Sequence, residues 1–123
     1  MKRAESAFIP RKYLTEPTSF GVDFTASVRP GIPVADTGKL VTALVQHRAA
    51  CVVRLIRESG AITARALGQQ LGHNEGTMSG YLTGAYPAVL AEITMWAMEL
   101  DDSSVLPDLD EVFQQARQCV TGQ

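Results

Sequence analysis

The sequence predicts an all-α fold behind an extended N-terminal arm, on three observations. Apolar residues recur at helical spacing around residues 37–59, 87–100 and 108–120. Between the first two stretches, Thr63 and Asn74 are placed to cap two short helices, with Gly60 and Gly72 where the chain must turn. The first 36 residues contain Pro10, Pro17, Pro30 and Pro33, and proline fixes φ and lacks an N–H, so no long helix can run there.

Residues 1–36 therefore read as the arm. Phe8, Ile9, Tyr13, Leu14, Phe20, Val22, Phe24 and Val28 make it more apolar than a disordered tail, so it is expected to pack on the domain or on a partner. Val22-Asp23-Phe24-Thr25 alternates and reads as a short strand. A helix should start at Asp36 or Thr37, each able to cap it, and run to about Ser59, with Gly60 as a left-handed stop. Leu40, Leu44, Cys51 and Leu55 give it a wide apolar surface, and a break near His47 would divide it in two.

The next helix, capped by Thr63, turns Ala66, Leu67 and Leu71 inward, with Ala66 small where two helices cross. Gly72 makes the turn, His73 beside it is expected to be exposed, and the helix from Asn74 points Met78, Tyr81 and Leu82 inward. Two short helices, a tight glycine turn and an outward second helix are what a helix-turn-helix requires, here over residues 61–84. Pro87 suits the first turn of a helix reaching Leu100. Its Val89, Leu90, Ile93, Trp96, Ala97 and Leu100 should pack against the motif, with Glu92 and Glu99 on the wet side. After a loop at Asp101–Ser104, a last helix from Asp108 to Val120 carries Leu109, Val112, Phe113, Ala116 and Val120. Dimerisation is its favoured use, and closing the monomer's own core is the alternative. The organisation is thus an arm (1–36), a helix-turn-helix domain (37–100), and a loop with a packing or dimerisation helix (101–123).

Composition narrows the function. No stretch approaches the roughly 18 uninterrupted apolar residues of a membrane span, so no membrane partner is expected. The basic start has no apolar run behind it, which points to the cytoplasm. Cys51 reads as core and Cys119 as a thiol near the surface, too few for a disulfide framework. His47, His73 and the two cysteines show no metal-ligand spacing, and no phosphate loop or nucleophile elbow is present. Neither an enzyme nor a cofactor is expected. The net charge of −2 conceals a division: residues 1–65 sum to +5, whereas residues 66–116 hold eight acids and no Lys or Arg. Such a division suits a face that meets a polyanion.

Leu71-Gly72-His73-Asn74, then Thr77-Met78-Ser79, then Gly84 and Pro87, resembles the helix-turn-helix of phage repressor/Cro-like (lambda-repressor-like) transcriptional regulators. The resemblance covers about residues 52–100. It implies a lambda-repressor-like bundle whose second motif helix enters the major groove of double-stranded DNA. By that resemblance Asn74, Glu75, Gly76 and Gly80 occupy base-reading positions, with Ser79 and Thr83 on the same helix. Thr63, Ala64 and Arg65 would stand near a phosphate, and Thr83, Gly84 and Ala85 would offer backbone N–H groups at the other flank. Glu75 repels phosphate, so the cations must come from Arg54, Arg57, Arg65 and the arm's Lys2, Arg3, Arg11, Lys12 and Arg29. The leading expectation is a DNA-binding regulator of a phage or plasmid type, acting as a homodimer. The alternative is an adaptor that uses the same fold, or the arm, to hold a protein partner.

Overall fold

One helix organises the chain. In the structure, a computed structural model that describes residues 8–121, α1 (Thr37–Glu58) runs 22 residues without a break at His47. It starts without the side-chain cap expected of Asp36 or Thr37. A 3-10 turn over Val34–Asp36 feeds directly into it, and Thr37 Oγ1 donates back to Val34 O. Gly60, at φ 87°, follows its end. Around α1 stand α2 (Ala64–Gln70), α3 (Glu75–Thr83), α4 (Leu90–Leu100) and α5 (Leu109–Cys119). The fold is all-α but for one short strand pair among the described residues. There β1 (Ile32–Pro33) runs parallel to β2 (Val120–Thr121). No described helix is long and apolar enough to cross a membrane.

Residues 8–36 lie on the helices. Tyr13, Leu14, Phe20, Ala26 and Ile32 are buried in the common core. Two 3-10 turns, Pro10–Tyr13 and Pro17–Ser19, each use a proline at the start, where its fixed φ fits and its missing N–H costs nothing. The strand expected at residues 22–25 does not form. Asp23 Oδ1 instead accepts from the Thr25 N–H and hydroxyl, at 3.0 and 2.8 Å, and closes a turn.

α4 begins at Leu90, three residues later than Pro87 suggested. The chain before it stays extended so that the Ala88 N–H reaches the Gln46 side chain at 2.8 Å. α5 is capped by Asp108, which accepts from Asp110 N and Glu111 N. It buries Val112 and Ala116 in the core beside α1, so this stripe closes the monomer, leaving Leu109 and Phe113 partly exposed. Arg48 on α1 ties it down through Glu111 (3.1 Å) and Gln115 (2.8 Å).

Two polar residues of α1 are fully buried. Gln46 bridges to the loop after α3, and His47 Nδ1 accepts from Gly21 N at 3.0 Å, with Phe20 tilted over its ring. That bond requires a lone pair on Nδ1, so the imidazole is neutral with its proton on Nε2. Burial pushes the His47 pKa below its ordinary value. The unfolded chain then binds the proton more readily than the native one. Stability is therefore full above about pH 6.5 and falls as the pH drops from there towards the lower native pKa. Urea unfolding at pH 7.5 and 5.0 should show this loss, and His47→Gln should reduce its size. Cys51, one turn on, is also core, its thiol pushed up to about 11 by burial; Cys119 is half-buried.

Candidate nucleic-acid interface

The two caps form as local geometry requires. Thr63 Oγ1 accepts from Ala66 N at 3.0 Å, and Asn74 Oδ1 accepts from Thr77 N at 2.8 Å. Gly72, at φ 80°, makes the turn between α2 and α3. Leu67, Met78 and Leu82 hold the pair against the core. The close crossing is at Gly68 and not at Ala66: a Cβ on Gly68 would stand 3.0 Å from Met78 Cβ.

The outer edge of α3 presents Asn74, Glu75, Gly76, Ser79 and Thr83, all exposed, with Thr77 half-buried. Gly80 does not belong to that edge. It is buried, and a Cβ there would overlap the Tyr86 ring. The backbone N–H groups expected to reach a phosphate at this end are also engaged. Gly84 N, Ala85 N and Tyr86 N all donate to Gly80 O, because the left-handed Gly84 folds the chain back over the last turn.

The side chains of the basic residues divide into two groups. Arg29 donates to Lys12 O and lies over the Tyr13 ring, Arg48 binds α5 and covers Phe24, and Arg54 pairs with Glu58 at 3.1 Å. Arg11, Lys12, Lys39, Arg57, Arg65 and Arg117 make no side-chain hydrogen bond or ion pair among the described residues. Lys39 lies in the first turn of α1 and Arg117 in the last turn of α5, and the other four stand at the motif. Arg11 N donates to Gly84 O at 3.0 Å, which anchors the basic turn to the end of α3. Arg11 and Lys12 then line a groove of about 620 Å³ with Thr18, Phe20 and Thr83. At the start of α2, Arg57 and Thr63 share a shallower cavity of about 240 Å³, where Arg57 Nε is buried without a partner. Arg65 is exposed in the first turn of α2. Lys2 and Arg3 lie outside the described residues.

The turn also carries a contact that sequence reasoning missed. His73 is half-buried, its Nε2 is 2.7 Å from Glu92 Oε2, and the same oxygen accepts from Trp96 Nε1 at 2.9 Å. Tyr81 packs edge-on against His73. Glu92 is thus not on the wet side, and the trio fastens the α2–α3 turn to α4. The available hint was the four-residue spacing of Glu92 and Trp96, which puts both on one helix face. Comparison of the chain with protein families, curated proteins and solved structures returns no match.

Proposed function

We propose that this chain is a DNA-binding regulator that lays α3 in the major groove of duplex DNA. The observation that carries this reading is the placement of four of the six described cations whose side chains are not engaged within the protein. Arg11 and Lys12 stand at the C-terminal end of α3, and Arg57 and Arg65 at the start of α2. Phosphate neutralisation dominates the affinity of such proteins, and two cations at the end of α3 with two more at the start of α2 are suited to it. Asn74, whose Oδ1 caps α3, keeps its side-chain N–H groups to donate to a base or phosphate, and Glu75 can accept from a cytosine amino group. Two copies on successive major grooves are the expected assembly.

Fluorescence anisotropy with random-sequence duplex at 50 and 200 mM salt tests the proposal. Binding should weaken steeply with salt. Arg11→Glu with Lys12→Glu should lower affinity on the order of a hundredfold and flatten the log–log salt slope by about 2. Absence of binding at either salt overturns the reading. An adaptor that holds a protein partner through the same motif is favoured by one feature, the exposed acid Glu75 in the first turn of α3. Arg57→Glu with Arg65→Glu separates the two, since it abolishes DNA binding and spares an adaptor contact.

A further inference from the structure

A surface helix is expected to be polar towards solvent, and α4 is not. Its inner face holds Ile93, Trp96 and Ala97. Its outer arc is Leu90, Ala91, Thr94, Met95 and Met98, without a charge. Leu90 is 61% and Met98 67% exposed, and Val89, just before the helix, is 68% exposed. Thr94 is the single polar residue there, and its hydroxyl is bonded back to Leu90 O at 2.9 Å. The arc runs into a groove of about 370 Å³ between the end of α4 and the 3-10 turn Ser103–Val105. Ala97, Met98 and Leu106 line it, together with Asp101 and Asp102.

We propose that this face docks an amphipathic helix of another protein bearing Lys or Arg beside its apolar stripe. Charge selects that occupant. Glu99 borders the arc, Asp101 and Asp102 line the groove, and no Lys or Arg occurs anywhere in residues 66–116. A second copy applied α4 to α4 would add acid to acid with no cation to offset it. A basic partner helix covers the Met and Leu side chains and sets a Lys or Arg stem along Met98 and Leu106, its charged head at the two carboxylates. Unbranched methionines suit a surface that must fit an incoming side chain.

The test uses the full chain and a synthetic Leu/Lys peptide designed as an amphipathic helix, with a scrambled peptide of equal charge as control. Titration calorimetry should show binding of the amphipathic peptide and not of the scrambled one. Met98→Glu makes the face more acidic yet less apolar, and it should weaken binding by at least about tenfold. Leu90→Glu, on the same arc, gives a second reading should the first variant melt early. Unchanged or tighter binding by both variants, or equal binding of the scrambled peptide, overturns the proposal. So does a dimer in sedimentation that Met98→Glu dissociates, because a second copy then covers the face.

Discussion

Gln46→Leu is expected to lower the unfolding free energy by about 4 kcal/mol, with nearly unchanged side-chain volume. The Gln46 side chain is wholly buried and serves three backbone groups, one in the last turn of α3 and two in the segment between α3 and α4. It donates to Tyr81 O at 2.7 Å and to Tyr86 O at 2.9 Å, and accepts from Ala88 N at 2.8 Å. Leucine leaves all three unpaired. A buried polar group that loses its partner costs about 1–3 kcal/mol. Tyr86 is half exposed, so its carbonyl can regain water, and the other two carry most of the loss. Such a change is a large part of the roughly 5–15 kcal/mol that holds a domain of this size together. Urea unfolding measures it. A loss below about 1 kcal/mol would mean that the bridge is dispensable.

Gly21→Ala should cost about 3 kcal/mol and lower the melting temperature by roughly 10 °C. Two effects add. Gly21 adopts φ 72°, which strains any residue with a Cβ. Its Cβ would also overlap Leu82 O and come within 3.1 Å of Ala50 Cβ. Both obstacles belong to packed helices and neither can rotate away. The same residue donates to His47 Nδ1, so any shift of the backbone breaks a buried bond as well. Gly31→Ala supplies the control: its φ of 80° is similar but nothing lies within 4 Å, so only the backbone strain of about 1 kcal/mol remains. Equal melting temperatures for the two variants would show that the close approach to Leu82 has no effect.

These two residues mark where the sequence stopped being legible. The caps at Thr63 and Asn74, the turn at Gly72 and the end of α1 at Gly60 were readable, because each depends on neighbours within about four positions. Gln46, His47 and Glu92 were not. By type they read as interruptions or as a wet face, and each is buried or half-buried by a partner 19 or more positions away. Gly68 and Gly80 were missed for the same reason. Only the placement of Met78 and Tyr86 decides that these glycines are covered, and that Gly80 does not belong to the outer edge of α3. The four cations of the candidate interface were visible as a bias in charge along the chain. That they are unengaged, whereas Arg29, Arg48 and Arg54 are not, follows from which cations found an acid, a carbonyl or a ring, which spacing alone does not encode.

The short parallel pair of Ile32 and Val120 joins the stretch before α1 to the stretch after α5. Closing so long a loop costs chain entropy that a two-residue ladder does not offset, so the pairing must wait until the helices between have assembled. It is therefore a late step of folding. Once made, it ties the stretch before α1 to the stretch after α5, so that opening of the one is coupled to opening of the other.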